Sequence, residues 1–276
     1  MPILTLGWLT LLNTKTAEVI TAAAGAGFKS VSIRITGRKL ADNYEPIVGN
    51  PAMIRDLRRR LADCGLRLSN TSIYHLSPDV TLEAVRPAID TTAELGACIM
   101  VATCSDPDHA RWVDFMARYC ELAHNAGITL ALEFVPYSEA KTIEVGYDLV
   151  LRTGAPNFGL LVDSLHLSRS GGKPEDIGRV DPKRIVFAQI CDAVNERPPH
   201  DQLANEARFG RRFPGEGELP LNEFLDALPA GIEIECELPR SDLAGRPSLE
   251  QAQRAGKATR GYLAAYCAAR GTPAWT

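Results

Sequence analysis

Residues 109–136, HARWVDFMARYCELAHNAGITLALEFVP, decide the fold. They read as a helix, HARWVDFMARYCELAHNAG, then an apolar β-type run, TLALEFV, that carries a carboxylate, Glu133, near its end. Gly127 stands at the junction, just past the helix. A glycine there adopts the left-handed backbone that closes a helix at little steric cost. The same phrase recurs along the chain. Ala26-Gly27-Phe28 leads into SVSIRI, Cys64-Gly65-Leu66 into RLSNTSIY, Leu95-Gly96-Ala97 into CIMVATC, and Thr153-Gly154-Ala155 precedes FGLLVDSLHL. The glycines recur at roughly 30 residues, the length of one βα unit.

Helical sequence fills the intervals. Asn50 as N-cap and Pro51 in the first turn open PAMIRDLRRRLADCG, where Ile54, Leu57 and Leu61 repeat at three and four and Arg58 to Arg60 face solvent. TLEAVRPAIDTTAELG, SEAKTIEVGYDLVLRTG, a shorter piece around PEDIGRV, LNEFLDAL and SLEQAQRAGKATRGYLAAYCAAR supply the later helices. Strands are expected near 3–10, 30–35, 67–74, 98–104, 129–136, 158–167, 185–192 and 232–238. Eight βα units most simply close into a single (β/α)8 TIM barrel, one domain over residues 1–276. A doubly wound open sheet is the alternative, and the first strand lacks the G-x-G-x-x-G that would favour it. The longest irregular region, residues 194–220, follows the seventh strand and so belongs to the C-terminal face of the barrel. A connection of that length in a compact domain is usually functional.

Bulk properties narrow the classes. The chain has 276 residues, 45% of them hydrophobic, and a net charge of −4. Its mild acidity argues against nucleic acid as a partner. Seven scattered cysteines without a C-x-x-C read as reduced thiols, not as disulfides or a zinc site. The N-terminal MPILTLGWLTLLNTK lacks the basic start and small-residue cleavage site of a signal peptide, and reads as a first strand. No apolar run reaches the length of a membrane span. A soluble cytoplasmic protein, with neither membrane nor nucleic acid as partner, is the expectation. Trp275 in the closing GTPAWT leaves packing on a second copy, and so a homo-oligomer, open.

Four polar residues stand near the ends of four expected strands: Glu133, Asp163 in GLLVDSLH, Gln189 in IVFAQICD and Glu237 in IEIECELP. A buried carboxylate is costly unless its charge is compensated. One divalent cation with oxygen ligands compensates them all, and oxygen donors suit Mn2+ or Mg2+, with Co2+ also compatible. Each residue alone has an ordinary alternative: a salt-bridged rim carboxylate, a core amide or a loop cap. His166, three residues past Asp163, returns to the same mouth as a group that hydrogen-bonds substrate or transfers a proton. Alternation puts Glu133 on the side of Ala131, with Leu130, Leu132 and Phe134 opposite, and puts Glu233, Glu235 and Glu237 on one side. Candidate substrate contacts are Arg34, His75 and Arg208, the last with Arg211 and Arg212 in a loop able to close over an anion. Trp8 reads as a core residue first and a cavity wall second. Asp192, three residues after Gln189, reads as a group that orients a ligand.

The stretch GLLVDSLHLSRSGGKPEDIGRVDPKRIVFAQICDA, residues 159–193, with RRFPGEGELPL and IECELP, resembles the sugar-phosphate isomerase/epimerase family of xylose isomerase-like barrels. The resemblance implies a (β/α)8 barrel with one divalent metal held by Glu133, Asp163, Gln189 and Glu237, and with His166 on the substrate. It implies removal of a proton next to a ketone of a hydroxy-ketone sugar or polyol, through a metal-stabilised enediolate. Glu133 and Glu237 would move the proton in an isomerisation or epimerisation. Gln189 departs from the His typical of the family's sugar 3-epimerases and is similar to 3-dehydroshikimate dehydratases. A lyase that dehydrates a cyclic keto-acid or keto-inositol, with His166 as acid, is therefore the alternative. Arg34, Asn70, Ser72 and His75 do not match the dehydratase pattern. A DNA-repair endonuclease would need more histidines than the five present and a basic groove. A non-catalytic barrel would hold no metal.

Overall fold

Each helix–glycine–strand phrase folds as its spacing predicts. Gly96 and Gly154 close their helices with φ of 85° and 69°. Asn50 caps its helix by accepting from the Met53 N–H at 3.2 Å, with Pro51 in the first turn. The computed structural model describes residues 2–36, 45–273 and 275. Its elements, in chain order, are β1 (Leu4–Leu6), α1 (Thr16–Gly25), β2 (Ser30–Arg34), α2 (Pro51–Asp63), β3 (Arg67–Leu76), α3 (Leu82–Leu95), β4 (Ile99–Cys104), α4 (His109–Asn125) and β5 (Thr129–Glu133). There follow α5 (Ile143–Thr153), β6 (Phe158–Asp163), α6 (Ser164–Arg169), α7 (Pro174–Ile177), β7 (Ile185–Ile190), α8 (Leu203–Phe209), α9 (Leu221–Ala227), β8 (Ile234–Cys236) and α10 (Ser248–Arg270). All strands are parallel to their neighbours, and β8 pairs with β1 to close a single (β/α)8 barrel.

Several strands are shorter than expected, with β5 stopping at Glu133 and β8 spanning only Ile234–Cys236, and three of the differing segments have a local reason. The first strand stops at Leu6 instead of running to residue 10. Gly7 N–H makes the last bond to Cys236 O at 2.9 Å, and Trp8–Leu11 then coils into a 3-10 turn. The sixth strand stops at Asp163 because that carboxylate accepts from the N–H groups of Leu165 and His166 and so starts α6. The region 194–220 is not structureless. It contains the 3-10 turn His200–Gln202, α8 and an antiparallel bridge between Asp192 and Arg212. Near the other end, Trp275 packs against Tyr266 of its own chain and donates to Ile232 O at 3.2 Å.

The barrel interior has two unlike sides. Ile99, Val101, Ala131, Leu161 and Phe187 form an apolar cluster from β4 to β7, distinct from the outer core that holds Leu130, Leu132 and Phe134. This is the alternation expected for Glu133 and Ala131. On β8, β1, β2 and β3 the residues that alternate with outer-core Leu4, Leu6, Val31, Ile33 and Ile234 include buried polar ones: Thr5, Ser30, Ser32, Asn70 and Glu235. The seven cysteines form no disulfide among the described residues. No helix among the described residues is long and apolar enough to cross a membrane.

Gly159 on β6 packs closely against the start of β7. A Cβ there would lie 2.5 Å from Arg184 O and 2.9 Å from Val186 Cγ2. The first contact is main chain and has no rotamer to yield. Gly159→Ala is expected to destabilise the fold by about 1–3 kcal/mol, as other overpacked core substitutions do. Urea unfolding of the two proteins, with an unchanged slope and a lower midpoint, is the check.

Candidate active site

The residues singled out in the sequence meet at one rim. Glu133 and Asp163 end β5 and β6, Gln189 is the penultimate residue of β7, and Glu237 follows β8. Register brings them together: Asp163 pairs with Gln189 across β6 and β7, and Gln189 with Glu235 across β7 and β8. All four candidates are buried. Ligand atoms of Glu133, Asp163 and His166 lie within 4.8 Å of one another. His166 Nε2 is 3.5 Å from Glu133 Oε1, and the Tyr137 ring meets the imidazole edge-on at 5.9 Å. Gln189 Nε2 donates to Glu235 Oε1 at 2.9 Å and to Glu237 Oε1 at 3.2 Å.

Arg211 joins these groups, and this corrects the sequence reading. It was grouped with Arg208 and Arg212 as a loop charge over the mouth, yet its guanidinium is buried among the carboxylates. Nη1 donates to Asp163 Oδ2 at 2.5 Å and Nη2 pairs with Glu237 Oε2 at 2.9 Å. Its Nε donates to Ala207 O at 2.9 Å. Backbone bridges on either side, Gly210 with Arg240 and Arg212 with Asp192, fix the residue between them.

Asp192 also takes a different part from the one expected. Its carboxylate accepts from the N–H groups of Ala193, Gly215, Gly217 and Leu219 at 2.9–3.1 Å, so the P-G-E-G segment wraps around it. A Cβ at Gly217 would stand 2.3 Å from Asp192 Oδ1. Asp192 therefore shapes the loop that delivers Arg211 and does not touch a candidate ligand. The two glycines in RRFPGEG were the available signal for this turn, but nothing in the motif points to its anchor.

Burial and like charge act together on the acids. Burial, then the neighbouring Glu237 and Asp163 carboxylates, push Glu133 well above the usual carboxylate range. Burial pushes Glu237 up to about 8, with Arg211 opposing and Glu235 and Asp163 adding to the rise. Burial likewise pushes Glu235 up to about 7, against hydrogen bonds from Asn70, Gln189 and Ser32. At Asp163 burial works upward too, but Arg211 and His166 together outweigh it and hold the carboxyl below its ordinary value. Burial depresses the His166 imidazole to about 4, so it is neutral at neutral pH.

This donor set fits a divalent ion. The buried carboxyl groups of Glu133, Asp163 and Glu237 stand around one guanidinium, more oxygen donors than it pairs with, and oxygen donors of this kind suit a divalent ion. Gln189 Oε1 is a buried acceptor that no donor reaches among the described residues. Buried acceptors rarely stay unpaired without a reason, and a place reserved for a cation is one such reason.

Above the rim lies a cavity of about 250 Å3. Arg34, His75 and Arg208, the expected substrate contacts, all line it, with Trp8, Tyr137 and Phe209 as apolar wall. Trp8 is thus a wall residue and not a core residue. The Arg34 guanidinium lies 5.2 Å over the Trp8 ring, and Arg34 Nε donates to Thr36 O at 2.7 Å. His75 Nδ1 is 2.9 Å from Thr103 Oγ1. Tyr137 and Phe209 were not singled out in the sequence. Tyr137 lies beyond the end of β5 and Phe209 ends the short helix α8, so strand alternation marks an inward direction for neither.

Known proteins match this frame. A sequence profile described as the xylose isomerase-like TIM barrel covers residues 20–261. An inosose isomerase of Bacillus velezensis is 33% identical over 117 residues, 42% of this chain and 40% of that protein. A 3-dehydroshikimate dehydratase of Pseudomonas aeruginosa is 29% identical over 221 residues, 75% of this chain and 33% of that protein. The chain thus matches well under half the length of either relative. Among solved structures, the IolI protein with a bound zinc atom superposes with a TM-score of 0.80 at 20% identity, covering 96% of this chain and 99% of that one. An L-ribulose 3-epimerase superposes at 0.72 with 18% identity, covering 98% and 95%. At such identities the superpositions establish the fold.

Removing the buried cation should be costly. Arg211→Met would leave Asp163 and Glu237 facing each other without a counter-charge. In chelator-treated protein it is expected to lower stability by about 3–5 kcal/mol, the usual cost of removing one partner of a buried ion pair. Adding Asp163→Asn to Arg211→Met should recover part of the loss. Urea unfolding of the single and double variants checks both statements; an unchanged midpoint for Arg211→Met would contradict them.

Proposed function

The chain belongs to the xylose isomerase-like TIM barrel family, and within that family we propose that it is a divalent-metal-dependent isomerase or epimerase of a hydroxy-ketone sugar or keto-polyol. One observation carries the reading: Glu133, Asp163 and His166 converge within 4.8 Å at the floor of a cavity on the C-terminal face of the barrel. That face is where such barrels build their active sites. The names of the two matched enzymes point the same way, since an inosose and 3-dehydroshikimate are both hydroxylated cyclic ketones.

Glu133, Asp163, Gln189 and Glu237 are the proposed ligands, for Mn2+ or Mg2+, with Co2+ compatible. A cation held there would polarise the substrate ketone and stabilise the negative charge of an enediolate. The chain's own groups do the rest. Glu133 on β5 and Glu237 after β8 approach from different sides of the rim. One takes the proton beside the carbonyl. Inversion follows when the other, as a carboxylic acid, gives a proton of its own to the opposite face, and isomerisation when the first returns its proton to the adjacent carbon while a hydroxyl proton passes between the two oxygens. Arg34, His75 and Arg208 are proposed to hold the substrate's polar groups, and Trp8, Tyr137 and Phe209 to exclude water. His166 is proposed to hydrogen-bond the substrate.

The second reading, a dehydratase of the 3-dehydroshikimate or keto-inositol type, is favoured by Gln189 and by the longer alignment with the Pseudomonas enzyme. It requires an acid for the departing hydroxyl. His166 or Glu237 could fill that part, but Arg34, Asn70, Ser72 and His75 do not match the dehydratase pattern, so this reading stands behind the first.

Metal-stripped protein reloaded with Mn2+ and incubated with ketoses and inososes in D2O tests the assignment. Deuterium in recovered substrate or its isomer, without loss of water, is expected. A new enone absorbance, in a panel that includes 3-dehydroshikimate, would select the lyase instead. No exchange with any ketone in protein shown to hold metal would contradict both. Glu133→Gln should lower turnover by about 10²–10⁴-fold, the usual contribution of a positioned general base, with metal content measured in parallel.

A further inference from the structure

We propose that Glu235 is a positioning residue that fixes the side-chain amide of Gln189 so that its carbonyl oxygen is presented to the cation. The inference deepens the metal-dependent reading and rests on it. An amide is nearly symmetric in shape, with oxygen at one tip and nitrogen at the other. As a metal ligand it is useful only with oxygen forward, so some neighbouring group must choose between the two orientations.

Glu235 is placed to make that choice. It is fully buried, two residues deeper along the chain than Glu237 and out of the cavity lining. Its Oε1 accepts from Gln189 Nε2 at 2.9 Å, while Oε2 accepts from Asn70 Nδ2 at 2.7 Å. Ser72 Oγ donates to Asn70 Oδ1 at 3.1 Å, which leaves Asn70 to offer its NH2 end to Glu235. Ser32 Oγ accepts the Trp8 N–H at 3.0 Å and is also hydrogen-bonded to Glu235. Gly7 keeps the space open, because a Cβ there would come within 2.9 Å of Glu235 Oε1.

With Glu235 so anchored, Gln189 has little freedom. Its NH2 group is engaged by the carboxylates of Glu235 and Glu237. The reverse orientation would set the carbonyl oxygen against both. Its Oε1 is left buried without a donor among the described residues. Glu237 is itself a proposed ligand, so the dedicated orienting charge is Glu235. The arrangement is the amide counterpart of the carboxylate that orients a metal-bound histidine from its far side. A merely structural Glu235 would affect folding stability but leave metal affinity untouched.

The test measures Mn2+ affinity of the chelator-stripped full chain by calorimetry, with thermal unfolding of each metal-free protein alongside. Wild type, Gln189→Ala, Glu235→Gln and the double variant form a cycle. Glu235→Gln is expected to weaken binding about 10–100-fold, the usual effect of losing such an orienting partner. It should add less than twofold on top of Gln189→Ala. Wild-type affinity in Glu235→Gln, wild-type affinity in Gln189→Ala, or full additivity in the double variant each overturns the inference. If Glu235→Gln does not fold, Asn70→Ala is used instead. A severalfold weakening, absent in the Gln189→Ala background, supports the proposal, and unchanged affinity overturns it. Wild-type protein that binds no divalent ion would sink the metal reading itself, a distinct result.

Discussion

The rim depends on one buried guanidinium. Arg211 pairs with Asp163 and Glu237, which come from strands on opposite sides of β7. Burial alone would drive those acids toward their neutral forms. The cation keeps Asp163 below its ordinary proton affinity and opposes the rise at Glu237. Arg211 cannot hold this place by its own side-chain preference, because an arginine is long and loses much freedom when ordered. The place is imposed by main-chain bridges on both sides of it and by Asp192, whose carboxylate gathers the N–H groups of the P-G-E-G turn. The electrostatics of the rim therefore rest on backbone hydrogen bonds in the 192–219 segment.

This also explains what the sequence could and could not reveal. Helix ends marked by Gly96 and Gly154, and the alternation around Glu133, are local patterns, and the barrel follows from them. The convergence of Glu133, Asp163, Gln189 and Glu237 was legible because strand ends in a closed barrel share a rim. Arg211 was not. Its depth is set by bridges to Asp192, about twenty residues before it, and from Gly210 to Arg240, thirty residues beyond that glycine, and no period in the sequence encodes such pairings. Asp163 shows a milder failure. The apolar run continues to Leu167, so the sequence extends the strand, but the carboxylate captures two N–H groups and starts a helix. A side-chain cap overrides hydrophobic continuity there.

The unlike sides of the barrel interior place the site. From β4 to β7 the inward residues are apolar and need no partners. From β8 round to β3 they are polar, and they satisfy one another through chains such as Ser72 to Asn70 to Glu235. Candidate ligands come from both sides, with Glu133 and Asp163 above the apolar cluster and Gln189 and Glu237 against the polar network. Burial above the apolar cluster raises the proton affinity of Glu133, which has no cation paired to it as Asp163 has, while a satisfied network holds orientation. A proton-transfer site needs both properties, and neither side of the barrel supplies them alone.

Strand β8 and its flanks show how depth alone assigns different parts to one residue type. Glu233, Glu235 and Glu237 share a side, two residues apart. Glu233, at the lower end, accepts from Thr5 and pairs with Arg67 near solvent. Glu235, in the middle, meets the amides of Asn70 and Gln189 together with Ser32, and no cation. Glu237, at the mouth, meets Arg211 and the cavity. The ends of the row have full positive charges as partners, whereas its centre has only dipoles. Dipoles do not neutralise a carboxylate, but they fix its direction, and a fixed negative charge beneath Gln189 fixes the amide in turn. Charge compensation at the rim and orientation beneath it are thus separate tasks on a single strand. For that reason a substitution at Glu235 should act on how the site binds, while one at Glu237 should act on both binding and proton transfer.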